Sequence, residues 1–141
     1  MEKKLKIVDK LRSSGLRPTK QRIQIADFLF QREKTFHFTV EEIDKLINKK
    51  NINEKISLAT FYNTVHAFKK AGHLKEILTN NNKSYFDTNT SSHHHFFDIE
   101  QNELTDIEFQ NIKLDKIPSP PPGKSIKDVD VVINITRSKN K

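Results

Sequence analysis

Hydrophobic residues recur at helical spacing in four segments of the first half of the chain. The first segment begins near Leu5 and ends before Gly15, a residue type that commonly follows a helix C-terminus. Each of the other three segments follows a residue whose side-chain oxygen suits a helix N-cap: Thr19, Thr39 and Ser57. The pattern therefore predicts four capped or bounded helices.

The last two of these helices are separated by a short polar turn. Thr39 and Glu42 have the spacing of a capping box, and we expect the helix that they open to run to about Lys50. In the fourth helix, apolar residues from Leu58 to Phe68 face inward, while polar residues occupy the opposite face. Two helices joined by a turn in this way form the helix-turn-helix pattern.

Segments with β character follow the fourth helix. Leu74–Leu78 and Tyr85–Asp87 flank a turn-rich loop and predict a hairpin, which would complete a winged helix-turn-helix. Residues 88–92 are a polar linker. Three further strands are predicted at His95–Glu100, at Leu104–Ile107 and within Val129–Ile135, where apolar and polar residues alternate.

We therefore expect an α+β protein with two domains. Residues 1–88 would form an N-terminal winged helix-turn-helix domain that binds DNA, and residues 89–141 a small α/β dimerisation domain that carries the histidines described below. Hydrophobic residues make up only 34% of the chain, and the mean hydropathy is -0.71. Such a composition allows only a small core, so pairing of two copies would bury additional apolar surface.

The overall charge and the residue types present restrict the function further. Lys and Arg number 25 against 18 Asp and Glu, and the resulting net charge of +7 favours a polyanionic partner. The chain has no cysteine, which excludes disulfides, thiolate zinc sites and cysteine nucleophiles. It also has no long apolar run and no signal peptide pattern, so we expect a cytoplasmic protein without a membrane partner.

The outward face of the fourth helix is suited to reading double-stranded DNA, although ordinary surface helices are also polar on one face. Short polar side chains can reach base edges, and cations can contact phosphates. The candidates for base edges are Ser57, Thr60, Tyr62, Asn63 and His66. The candidates for phosphates are Arg17, Lys20, Arg22, Lys69 and Lys70.

Three consecutive histidines follow the predicted hairpin. In a strand, His93 and His95 would point to one face and His94 to the other. Imidazoles combined with carboxylates suit a divalent ion such as Fe, Mn or Zn. The predicted metal ligands are His37, Asp87, His93, His95 and Asp106. Adjacent imidazoles can also ligate haem iron, which makes His93, His94 and His95 a candidate haem site.

Taken together, these motifs resemble those of the ferric uptake regulator family, bacterial metal-responsive repressors. The matching stretches are residues 16–22, 37–43 and 56–65, the Tyr85-Phe86-Asp87 sequence and the histidine run. The resemblance covers about residues 5–107. It implies that the five metal candidates match the regulatory site of the family residue by residue, and that Tyr62 matches its DNA-contacting tyrosine.

The chain also departs from the usual pattern of that family. Members usually carry Cys-x-x-Cys pairs for a structural zinc, but Asp98 and Gln101 or Asn102 stand at the corresponding positions, so we expect no four-cysteine zinc. The histidine run and the C-terminal sequence resemble the iron response regulator subgroup, which also lacks those cysteines. In that subgroup the three-histidine motif is implicated in the response to haem. The resemblance implies the same response here.

The leading hypothesis is a homodimeric, iron- or haem-responsive transcriptional regulator that binds inverted-repeat operator DNA. A constitutive winged-helix protein without metal sensing is the first alternative. A second is a metal-dependent hydrolase or oxygenase using His93, His95 and Asp87 as a facial triad, but no substrate-orienting motif accompanies it. A third is an unregulated nucleic-acid scaffold, which only the charge supports. We expect the protein not to be an enzyme.

Overall fold

The structure, a computed structural model, describes residues 2–139. Met1, Asn140 and Lys141, at the outer ends of the two predicted domains, lie outside the described residues. The chain divides into two compact units, the first ending at Thr90 and the second beginning at Ser91. This division falls two residues after the boundary expected from the sequence.

Four α-helices lie in the described part of the first unit. They are α1 at Glu2–Ser13, α2 at Lys20–Phe30, α3 at Val40–Asn48 and α4 at Leu58–Lys70. The three predicted N-caps are confirmed, because the side-chain oxygens of Thr19, Thr39 and Ser57 each accept a hydrogen bond from the backbone N–H three residues later. The capping box at the start of α3 is also confirmed.

A three-stranded antiparallel sheet completes the first unit. Its strands are β1 at His37–Phe38, β2 at Lys75–Leu78 and β3 at Ser84–Asp87, in the order β1-β3-β2. The hairpin of β2 and β3 is the predicted wing. In the β1–β3 register, His37 lies opposite Asp87 and Phe38 opposite Phe86. Since neighbouring strand residues point to opposite faces, the polar pair and the aromatic pair lie on different sides of the sheet.

The core of the first unit forms where the helices meet the Phe38–Phe86 side of this sheet. Phe38 and Phe86 stack with ring centroids 5.8 Å apart, and Phe61 and Phe68 of α4 are fully buried in the same cluster. Burying an aromatic side chain of this size contributes about 1.5–3 kcal/mol relative to leaving it exposed. The inward face of α4 is therefore held firmly, and its outward face is left for contacts with other molecules.

The second unit contains a separate three-stranded sheet. Its strands are β4 at His93–Asp98, β5 at Glu103–Glu108 and β6 at Val132–Ile135. The central strand, β4, pairs antiparallel with β5 and parallel with β6. β4 begins two residues before the predicted start at His95.

Two further features of the second unit differ from the expectations. The predicted last strand shortens to β6, because the N–H of Val131 donates to Nδ1 of His94 instead of to a strand carbonyl. In the described residues of this unit, helical structure is limited to one 3-10 turn at Phe109–Asn111. The α+β class is confirmed, and none of the helices within residues 2–139 has the length and apolar character needed to cross a membrane.

His73, which follows α4, makes the stability of the first unit dependent on pH. Its Nε2 lies 2.8 Å from the hydroxyl of Ser14, and its ring packs against Phe30 and Phe68. Burial and the nearby charge of Lys10 lower the pKa of His73 below 6.5. The folded protein therefore binds a proton at this site less readily than the unfolded chain, and the free energy of unfolding falls as the pH drops through about 6.5.

We expect this effect to disappear in a His73→Gln variant. The difference in unfolding free energy between the wild type and the variant should change between pH 7.5 and pH 5, in the direction of a loss for the wild type. Urea denaturation at a series of pH values measures it, since the other titrating groups are common to both proteins. A pH-independent difference would refute the assignment.

Candidate metal centre and nucleic-acid interface

In the first unit, an imidazole and a carboxylate form a close pair. The register of β1 and β3 brings Nε2 of His37 to 3.1 Å from Oδ2 of Asp87. The side chain of Asp87 is fully buried, and its other oxygen accepts a hydrogen bond from the N–H of Asn89 at 2.8 Å. Lys75 of β2 stands opposite Asp87 on the same face. Because burial of a carboxylate is costly, this position favours cationic neighbours.

The second unit holds a cluster of three donors. His93 and His95 lie on one face of β4, and His95 faces Asp106 of β5 in register. A single oxygen, Oδ1 of Asp106, lies 3.3 Å from Nε2 of both histidines. The two imidazoles are almost completely buried, whereas Asp106 is partly open to solvent. This cluster was predicted from the alternation of side chains along a strand.

A hydrogen bond fixes the tautomer of His93. Its Nδ1 lies 2.7 Å from the carbonyl oxygen of Ser91, which can only accept, so Nδ1 carries the proton. In the neutral ring, Nε2 then presents a lone pair toward Asp106. Metal-bound histidines typically donate their other N–H to a carbonyl or carboxylate in this manner. His93 is therefore oriented as a ligand through Nε2.

Within each unit, the spacing of the donor atoms is compatible with one bound ion. Two ligand atoms about 2.1 Å from one metal ion lie roughly 3.0–3.4 Å apart at angles between about 90° and 109°. The distances from Asp106 to His93 and His95 fall in this interval, and so does the distance from His37 to Asp87. Within each unit, the donors therefore have the right chemistry and spacing for a first-row divalent ion.

His94 has the opposite arrangement to His93. Its Nδ1 accepts the N–H of Val131 at 3.0 Å, which assigns the ring proton to Nε2. That Nε2 is buried and has no hydrogen-bond partner among the described residues. The ring also stacks on Phe109, with centroids 5.4 Å apart. A protonated ring nitrogen has no lone pair for iron, so this geometry does not favour His94 as a haem ligand.

The exposed face of α4 carries the residues predicted to read DNA. Tyr62, Asn63 and His66 are exposed, and the rings of Tyr62 and His66 stack at 6.4 Å. Ser57 and Thr60 occupy the start of the helix, where their hydroxyls lie 2.9 Å apart and the N–H of Thr60 donates to Ser57. These two hydroxyls already serve the helix cap, so the polar reading surface is centred on the other three side chains.

The cations predicted to contact phosphates differ in their availability. Lys20 pairs with Glu54 at 3.0 Å, but both side chains are highly exposed, so a phosphate could replace the carboxylate at little cost. Arg22 donates to the carbonyl oxygen of Arg17 at 3.3 Å, which places the two arginines side by side.

Lys69 is less available, because it is ion-paired with the partly buried Glu76. Burial alone would raise the pKa of Glu76, but hydrogen bonds from Lys69 and Ser84 outweigh it and hold the pKa below its ordinary value. Glu76 therefore stays charged at neutral pH and offsets the charge of Lys69.

An acidic residue at this surface, Glu41, was not among the residues predicted from the sequence. A cleft of about 420 Å³ separates α3, α4 and the wing, and Glu41, Tyr62, His66 and Lys83 are among the residues that line it. Within it, the hydroxyl of Tyr62 donates to Oε1 of Glu41. The partners are 21 residues apart, so no local pattern signals this contact.

Comparison with known proteins gives a consistent family assignment. A model of the ferric uptake regulator family matches residues 13–133. A peroxide-responsive repressor from Staphylococcus epidermidis is 33% identical over 102 residues, which cover 72% of this chain and 65% of that protein. The match thus spans just under two thirds of the length of this curated relative.

Solved structures agree with this chain in fold. The ferric uptake regulator of Pseudomonas aeruginosa, determined with manganese, has a TM-score of 0.67 at 21% identity, covering 93% of this chain and 97% of that one. The Helicobacter pylori ferric uptake regulator, described with three functional metal-binding sites, also has a TM-score of 0.67, at 16% identity, with 95% and 91% covered. Because these identities are low, the comparison with the two structures supports the fold of this chain.

Proposed function

The chain belongs to the ferric uptake regulator family, whose members are transcriptional regulators rather than enzymes. We propose that it is a homodimeric regulator whose affinity for operator DNA depends on a divalent metal ion. The operator would be an inverted repeat, with one winged helix on each half. A cytoplasmic location is part of this proposal.

The observation that carries the proposal is the convergence of two buried imidazoles on one carboxylate oxygen in the second unit. The proposed ligands of the regulatory ion are His37, Asp87, His93, His95 and Asp106. A bound ion would supply the positive charge that holds these imidazoles and carboxylates together. Iron, manganese and zinc all accept such nitrogen and oxygen donors, so the donor set is compatible with each.

We propose that the regulatory ligand is a metal ion rather than haem. His93 and His95 present their nitrogens to one side of β4, while His94 points to the other and holds its proton on Nε2. The three histidines therefore do not present their ring nitrogens to a single site. The resemblance to the iron response regulator subgroup, and the haem response that it implies, remain predictions.

Two binding measurements test the proposal. The full chain would first select ligands from a library of random DNA duplexes, because the operator is unknown. The affinity for the selected duplex would then be measured with a chelator and with added Mn(II), over a series of salt concentrations. We expect sequence enrichment, an affinity that falls steeply with salt, and a clear shift on adding the ion. Enrichment without any metal dependence would instead favour a constitutive DNA-binding protein.

The second unit offers a surface for pairing with a second copy. Phe96 of β4 lies beside Ile133 of β6 in register, and Ile135 follows on the same face. All three side chains are more than a third exposed. A patch of this kind on a sheet face is typical of an interaction site. We propose that a second copy of the chain covers it.

A Phe96→Glu/Ile133→Glu double variant is expected to be monomeric. Charge on this face would have to be buried in the dimer, so association should be lost, and sedimentation should give the 16.5 kDa of a single chain. Ile52→Glu serves as the control, because Ile52 is exposed in the first unit. A dimeric double variant would exclude this face as the interface.

A further inference from the structure

We infer that Glu41 is a positioning residue for DNA reading, which fixes the phenol ring of Tyr62 on the exposed face of α4. This inference rests on the proposed function, since it assumes that the face of α4 meets DNA. Glu41 is an acidic side chain at a surface whose other residues suit a polyanion.

The contacts of Tyr62 restrain the side chain at both ends. Its hydroxyl donates to the carboxylate of Glu41, in the first turn of α3, and its ring stacks on His66 with an interplanar angle of 22°. His66 in turn stands edge-on against the buried ring of Phe86, with centroids 6.1 Å apart. An exposed tyrosine without such contacts would populate several rotamers, and ordering it on binding would cost entropy.

The negative charge of Glu41 acts against DNA binding, and a role in positioning Tyr62 would explain its presence at this surface. A carboxylate beside the reading helix repels phosphates and weakens binding to every DNA sequence. Glu42 forms the capping box with Thr39, so the local role left to Glu41 is the favourable interaction of a first-turn carboxylate with the dipole of α3. The hydroxyl of Tyr62 is engaged by the carboxylate, so the ring is the part of Tyr62 left to face the bases.

The hydrogen bond has an independent spectroscopic signature. The carboxylate of Glu41 accepts a hydrogen bond from the phenol hydroxyl and raises the pKa of Tyr62 above 10.0. The chain has two tyrosines and no tryptophan, so a Tyr85→Phe background leaves Tyr62 as the only tyrosine. Its ionisation can then be followed by near-ultraviolet absorbance.

The test compares the sequence preferences of four full-length proteins: the wild type, Glu41→Gln, Glu41→Ala and Tyr62→Phe. Each selects from the same library of random duplexes in the presence of Mn(II). Glutamine keeps a hydrogen-bond acceptor and removes the charge. We therefore expect Glu41→Gln to bind all duplexes more tightly while keeping the wild-type sequence preference.

Glu41→Ala and Tyr62→Phe should each lose preference at the same base pairs. Their double variant should lose no more than either single variant, because both remove one shared contact. In the Tyr85→Phe background, Glu41→Ala should also return the ionisation of Tyr62 toward its ordinary pH.

Two results would overturn the inference. If Glu41→Ala keeps the wild-type preference and binds every duplex more tightly, Glu41 is only a repulsive charge. If the effects of Glu41→Ala and Tyr62→Phe fall at different base pairs and add, the two residues act separately. If the wild-type chain enriches no sequence, the proposed function fails, and this inference fails with it. Either of the first two results would refute this inference alone, because the wild type would still show a sequence preference.

Discussion

Replacing both His93 and His95 with asparagine is expected to reduce the affinity for Mn(II) by about 100-fold or more, since loss of residues that merely support a metal ligand already costs 10- to 100-fold. Asparagine places its amide where the Nδ1 side of the imidazole was and removes Nε2. The hydrogen bond from position 93 to the carbonyl of Ser91 can therefore persist while the proposed ligand atoms are lost. Equilibrium dialysis of the full chain measures the change.

The same strand supplies the matched control. His94→Asn changes the same residue type on the opposite face of β4, and its amide oxygen can still accept the N–H of Val131. We expect this variant to retain Mn(II) affinity within a few-fold. If His94→Asn weakened binding as much as the double variant, the ligands would have been assigned to the wrong face.

Truncating Phe61 to alanine is expected to lower the free energy of unfolding by about 3–5 kcal/mol. Phe61 is completely buried on the inward face of α4, within the aromatic core of the first unit. Its loss would leave a cavity that the packed helices cannot fill by small movements. Since small domains are stable by only about 5–15 kcal/mol, this loss would remove roughly a fifth or more of the total stability.

Urea denaturation followed by circular dichroism measures this loss, with Leu58→Ala as the comparison. Leu58 was predicted to face inward, but it is 43% exposed at the start of the same helix, so its truncation should cost about 1 kcal/mol or less. Equal losses at the two positions would contradict the packing described for α4. A destabilised Phe61→Ala protein should also lose DNA binding, because the reading face depends on the fold of the helix.

Local sequence signals predicted the helices well. Thr19, Thr39 and Ser57 act on backbone groups three residues away, so each cap can be recognised without knowledge of the tertiary structure. The side-chain period of a strand is equally local, which is why the opposite orientation of His94 could be predicted.

Features that depend on tertiary pairing could not be predicted in this way. The two-residue strand β1 is too short to show any alternation, and it exists because β3 lies beside it. Val129 and Val131 continue the alternating pattern of the last strand, but their segment lies outside β6 because Val131 bonds to a histidine side chain. A hydrogen bond from a backbone N–H to a histidine far away in the sequence does not alter the alternation of apolar and polar residues, so the sequence pattern cannot reveal it.

In the candidate metal centre, too, some features could be predicted from local sequence and others depend on tertiary contacts. The residue types and their order could be predicted from the sequence, with His37 and Asp106 included, and the family resemblance implied the same five residues. The tautomers of His93 and His94 could not, since each depends on which backbone group its Nδ1 meets. The contact between Glu41 and Tyr62 was missed for a related reason, because it joins two helices through side chains alone.

The short strand β1 places a proposed metal ligand directly beside a residue of the hydrophobic core. His37 faces Asp87, while its immediate neighbour Phe38 is completely buried against Phe86. A slip of one residue in the register between β1 and β3 would exchange the two side chains, placing an imidazole in the core and a phenyl ring beside the carboxylate. The packing of Phe38 therefore holds the proposed ligand His37 in its place opposite Asp87.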